Sequence, residues 1–214
     1  MPSASPPCSD AAPRAAALAL WRAMGAFIAT LHDLFGAPEA IAGQHTLTAA
    51  AYKQILAWLR AGEAMMRRLL LIEASAVSRP HLRPRRRAPR PRVRRVMEFS
   101  ADAPQEWRVS FRCFVVPPRA RPSRRRRRNS DETPEPKRFF NAWPLAERLE
   151  ALLRAFNDPA PIARRLARRL NRQPHRAREM LEMPAGGKKL VGAQWCAELG
   201  LAAEASRGAF YNSS

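Results

Sequence analysis

TLTAAAYKQILAWLRAGEAMMRRLL, residues 46–70, decides the fold. Tyr52, Ile55, Leu59, Gly62, Met66 and Leu69 step by alternating three and four, which lines apolar positions along one side of a helix like a coiled-coil seam. Thr46 or Thr48 stands where a hydroxyl cap belongs, ready to accept from one of the free N–H groups of the first turn. Upstream, Leu20, Met24, Phe27, Leu31 and Leu34 repeat at the same spacings, with Leu18, Trp21, Ile28 and Phe35 widening the sector. Gly36 and Pro38 stop this first helix. The expected unit is a helical hairpin over 13–78.

Both apolar sectors are wider than one partner helix can cover, so a further element must pack on the pair. The C-terminal helices of the same chain, a second copy and a different protein are all candidates at this level. Gly25 and Gly62 fall inside the apolar sectors, and each costs a helix about 1 kcal/mol relative to alanine. A close helix crossing and simple tolerance both account for them.

Downstream, Trp107, Val109, Phe111, Cys113 and Val115 alternate with Arg108, Ser110 and Arg112. That period of two predicts a half-buried strand within a β-hairpin over 96–116, docked on a helical surface because an isolated hairpin is marginal in water. Residues 139–207 return to helical spacing. Leu145, Leu149, Leu152 and Phe156 share a face; Ile162, Leu166 and Leu170 form a stripe in the next helix, followed by short helices near His175 to Glu182 and Ala193 to Ala205. The fold class expected is mainly α, with an N-terminal helix pair, a central short β-hairpin and a C-terminal cluster of short helices.

The 214 residues carry a formal net charge of +20, from 38 basic and 18 acidic side chains. Only Lys53, Lys137, Lys188 and Lys189 are lysines, so the excess is arginine. It is concentrated: nine arginines and no acid lie in residues 79–95, and seven arginines in 119–128. Like-charge runs studded with proline hold too little apolar surface to offset the entropy of ordering, so 79–95 and 117–138 are expected to be disordered linkers, with 1–12 and 208–214 as tails. Arginine, alanine and proline share GC-rich codons, so base composition is a competing account of the excess.

Chemistry-bearing motifs are scarce. AGGKKL, residues 185–190, lacks the spacing and hydroxyl of a phosphate loop. His32, His45, His81 and His175 have no metal-ligand spacing to Cys, Asp or Glu. Glu147 and Glu150 share a helix side with Arg148 and Arg154 and read as ion-pair partners. No enzyme activity, cofactor or metal is expected. Cys8, Cys113 and Cys196 are odd in number and far apart, which fits a reducing compartment and a cytoplasmic location. Residues 15–31 are apolar but short of a membrane span and interrupted by Arg22.

The leading expectation is a non-enzymatic interaction protein that binds another protein, or itself, through apolar helix faces. The alternative is a sequence-independent nucleic-acid-binding accessory. Its candidate contacts are Arg124, Arg125, Arg126, Arg127 and Arg128 in the second block, and Arg164, Arg168 and Arg172 one helical turn apart. A peripheral membrane protein is the third reading.

Overall fold

The computed structural model describes residues 16–77, 101–114, 139–181 and 191–212. The two arginine-rich segments expected as linkers lie outside the described residues, as do residues 96–100 and 115–116 of the expected hairpin and the AGGKKL stretch.

Helix α1 spans Leu18–Phe35 and ends where Gly36 adopts a φ of 80°, its N–H donating to the His32 carbonyl at 2.8 Å. Only glycine takes that left-handed conformation without strain. Pro38 does not merely end α1; it starts a short helix, α2, Pro38–Gly43, that buries Ile41 and Ala42. Strand β1, Thr46–Thr48, leads directly into α3, Ala49–Ala76. Of the two candidate caps it is Thr48 whose hydroxyl accepts from Ala51 N–H, at 3.3 Å.

Helix α3 is the axis of the molecule. From Ala57 to Ile72 every residue is buried except Arg60 and the half-buried Arg67. A helix buried on nearly all sides is a core helix, and this one is wrapped by its own chain. Antiparallel α1 covers one side: Trp21 Nε1 donates to Glu73 at 3.2 Å, Phe27 and Phe35 both pack on the Trp58 ring, and Leu20, Met24, Phe27 and Leu31 are buried. Leu18 and Leu34, counted in the same sector by spacing, are instead more than half exposed, at the rim of the contact.

The remaining sides of α3 are covered by α4 (Trp143–Asn157), α5 (Ala160–Arg172), α6 (Arg176–Leu181) and α7 (Ala193–Asn212), with α7 making the most extensive contact. Of the three candidates for the missing cover, the chain's own C-terminal helices are the ones that pack there. One contiguous core takes residues from Ala16 to Ala202. Helix α7 continues to Asn212, so residues 208–212 are helical rather than tail. Two polar ties cross the core. Glu63 accepts bidentately from Arg148 of α4, at 2.7 and 2.9 Å, and from Arg67 at 2.8 Å. Fully buried Arg68 donates through Nη1 to the Leu199 carbonyl of α7 at 2.8 Å. Removal from water, and then repulsion from Arg207, bring the Arg68 guanidinium down to about 10.

The antiparallel two-stranded ribbon is present, but its strands come from elsewhere than 96–116. β1 pairs with β2, Phe139–Asn141, in the register Thr46↔Asn141, Leu47↔Phe140, Thr48↔Phe139. Phe140 stacks on Tyr52 at 4.8 Å, and Asn141 Oδ1 accepts from Trp143 N–H at 2.9 Å, so the strand feeds α4. Residues 101–114 hold a 3-10 turn, Pro104–Glu106, and then run without strand partners among the described residues. Their alternation is nevertheless real: Trp107, Val109, Phe111 and Cys113 face inward while Arg108, Ser110 and Arg112 are exposed. Among the described residues the segment lies on helices, and guanidinium donors serve its carbonyls. Arg154 donates to the Trp107 and Pro104 carbonyls and Arg67 to that of Arg112.

The two glycines separate. A Cβ on Gly62 would stand 2.7 Å from Phe27 Cε1 and 3.2 Å from Leu152 Cδ2, both in the core, so α1 and α4 approach α3 there because no side chain intervenes. A Cβ on Gly25 would meet only Phe156 Cζ, at 3.3 Å, on a half-buried ring. Alanine gains about 1 kcal/mol of helix propensity at either site. Overpacking costs about 1–3 kcal/mol. Gly62→Ala is therefore expected to lower the urea midpoint, and Gly25→Ala to leave it unchanged or raise it; equal shifts would remove the close-crossing account.

Candidate anion-binding surface

Helix α5 begins at two prolines, Pro159 at the cap and Pro161 in the first turn, where a missing N–H removes no helical bond. Ala163, Leu166 and Leu170 are buried against α3, and Ile162 is half-buried. Arg164, Arg165, Arg168, Arg169 and Arg172 are all exposed. The division follows from the period: the arginines fill one side of the helix because the other is committed to the core. Among the described residues none of the five is in an ion pair; the salt bridges there join Arg67 and Arg148 to Glu63, and Arg154 to Glu150.

Arg164, Arg168 and Arg172, singled out by spacing, thus stand in solvent as expected. Arg124, Arg125, Arg126, Arg127 and Arg128 lie outside the described residues. Sequence spacing places Arg165 and Arg169 on this basic surface too, but does not show what joins Arg169 to other elements at the edge of α5. The Arg169 guanidinium sits 4.5 Å from the centroid of the Phe114 ring and that of Arg176, from α6, at 5.4 Å. Phe114 is itself buried at 5% exposure. Arg165 donates back to the Pro161 carbonyl at 3.3 Å, which holds its side chain along α5. Arg176 Nε is buried without a hydrogen-bond acceptor among the described residues. Phe114 is 55 residues from Arg169 in sequence, so no local pattern announces the cluster.

Cys113 lies beside these cations. Burial pushes its thiol up, and the opposing pull of Arg67, Arg165 and Arg169 does not reverse it. A raised thiol is a poor nucleophile, so the cluster is not an activating site for that cysteine. The acid pair read from α4 resolves into structural bonds: Glu150 accepts from Arg154 at 2.6 Å, and Glu147 from Trp143 Nε1 at 3.1 Å. Among the described residues no three His, Cys, Asp or Glu side chains gather as metal ligands, and no helix is long and apolar enough to cross a membrane. No family model, curated protein or solved structure matches the chain.

Proposed function

We propose that the protein is a non-enzymatic interaction module that binds nucleic acid, without regard to sequence, through the arginine face of α5. The observation that supports this reading is the five exposed arginines of α5 on a helix whose opposite side is fixed in the core. Cations on an ordered helix that are in no ion pair among the described residues release counterions on meeting a phosphate polymer, and the net charge of +20 favours that encounter at long range.

The expectation of a protein partner drew on uncovered apolar faces of α1 and α3. Those faces pack against α4 to α7, which leaves the basic face as the more distinctive exposed surface. A membrane-surface role is weakened by the same packing, since an interfacial helix sinks its apolar side into lipid and that of α5 is occupied.

The test is anisotropy titration of a labelled duplex across a salt series. Replacing Arg164, Arg168 and Arg172 with Gln is expected to weaken binding at least about tenfold. The salt slope should become shallower by about 2 to 3, at roughly 0.7 to 0.9 for each phosphate left without its cation. Replacing Arg124 to Arg128 with Ser should cost less affinity per charge, because a segment whose composition predicts disorder loses more entropy on binding than donors on a helix. Equal loss per charge would reduce the effect to diffuse attraction. Absence of wild-type binding at about 0.15 M salt, where screening acts over roughly 8 Å, would overturn the reading. Binding to phosphatidylserine vesicles in its place would return the membrane reading.

A further inference from the structure

The geometry points to a discrete phosphate-binding site where the Arg169 and Arg176 guanidiniums share the Phe114 ring, and we infer that its ligand is a phosphomonoester, the terminal phosphate of a nucleic-acid strand. This rests on the nucleic-acid reading only for what carries the phosphate.

Two guanidiniums on one aromatic ring repel each other, and an acid between them would be the ordinary remedy. Among the described residues no carboxylate is paired with either one. The ring supplies a different function. A guanidinium stacked on an aromatic face has its plane fixed while its N–H edges remain free to donate in that plane. Those edges suit bidentate contact with phosphate oxygens. Arg176 Nε is shielded from solvent and has no acceptor among the described residues, so a ligand oxygen would be met by the terminal N–H groups of the two guanidiniums rather than by Nε. Arg165, on the same α5 face and also outside any described ion pair, adds a third positive charge nearby.

Charge decides between the internal and terminal phosphates of a strand. An internal phosphodiester carries one negative charge, which Arg164, Arg168 and Arg172 can meet singly along the exposed face. A phosphomonoester carries about −1.5 to −2 near pH 7 and three acceptor oxygens, which suits cations gathered around one ring better than cations spaced along a helix. The stripe and the cluster therefore divide the work: one tracks the backbone, the other holds an end.

The experiment compares oligonucleotides of one sequence carrying a 5′-phosphate, a 3′-phosphate or hydroxyls at both ends, using full-length protein. One phosphorylated form is expected to bind about tenfold tighter than the hydroxyl form. Arg169→Gln with Arg176→Gln should abolish that preference, so that all three forms bind alike, each somewhat more weakly than the wild type binds the hydroxyl form because the α5 face has lost one of its charges. Arg169→Lys with Arg176→Lys keeps charge and stem, safeguards folding, and should still lose most of the preference, because the planar fork is gone. Equal wild-type affinity for all three forms would overturn the site, and the nucleic-acid reading would survive if the Arg164, Arg168 and Arg172 variant still weakens binding. A second arm adds inorganic phosphate against chloride at matched ionic strength and follows the melting temperature. A rise in the wild type that is absent from the Gln variant, without oligonucleotide binding, would support the site and overturn the nucleic-acid reading. No response to phosphate or to any oligonucleotide would overturn both.

Discussion

Replacing Leu59 and Leu69 together with Asp is expected to abolish cooperative folding of the helical core, not only of the N-terminal pair. Both side chains are fully buried, at 0% exposure, on a helix contacted by α1, α4, α5, α6 and α7. A carboxylate placed there has no cation set to receive it, and the structure must open or the group must stay protonated at a cost of several kcal/mol. Cavity loss adds about 2–5 kcal/mol for each leucine removed. Two such sites together match or exceed the roughly 5–15 kcal/mol that keeps a domain folded. Circular dichroism should show most of the helical signal gone and no sigmoidal melt. Leu34→Asp provides the contrast: that residue was read into the apolar sector of α1 but is 52% exposed, and the change should be tolerated. A cooperative melt in the Leu59, Leu69 variant would mean that α3 is not the axis of the core.

The difference between Leu34 and Leu59 shows where sequence reading works. Period alone located both long helices, the Gly36 stop and the outward arginines of α5, because each depends on residues within a turn or two of one another. It left open what covers α1 and α3, because contacts such as Glu63 with Arg148, or Arg68 with Leu199, join positions 85 and 131 residues apart. The ribbon failed to announce itself for a related reason. Three residues on each side, Thr46–Thr48 and Phe139–Asn141, are too few to show a period. The alternation over 107–113 was read correctly as side chains facing in and out. The partner expected for it, Val96 to Phe99, lies outside the described residues, and the alternation alone does not call for one, since any extended chain on a flat apolar surface alternates, whether or not another strand lies beside it. At the candidate site the same limit holds: Arg164, Arg168 and Arg172 were legible from spacing, whereas Phe114 and Arg176 join Arg169 only through the fold.

That extended segment carries the second large effect. Trp107 is 2% exposed, its ring lies 4.8 Å from that of Trp143, and its carbonyl accepts from Arg154 Nη1 at 2.9 Å. Trp107→Ala should cost about 3–5 kcal/mol, the range for emptying a buried indole site. For a chain of this size each kcal/mol moves the melting temperature by about 2–4 °C, so a fall of roughly 6–20 °C is expected. Arg154→Met tests how the loss arises. Arg154 bonds Glu150 and the carbonyls of Pro104 and Trp107, so it ties the segment to α4 at the place where the indole inserts. If indole and guanidinium act as one anchor, the double variant should be less damaged than the sum of the singles, by about 0.5–3 kcal/mol. The coupling has a consequence for the phosphate site, because residues 107–114 run from this anchor to Phe114. Trp107→Ala should therefore also weaken the preference for a phosphorylated strand end at temperatures where the helices remain folded. A melting temperature within about 2 °C of wild type, less than 1 kcal/mol converts to at this size, would mean that the segment rests on α4 without stabilising it.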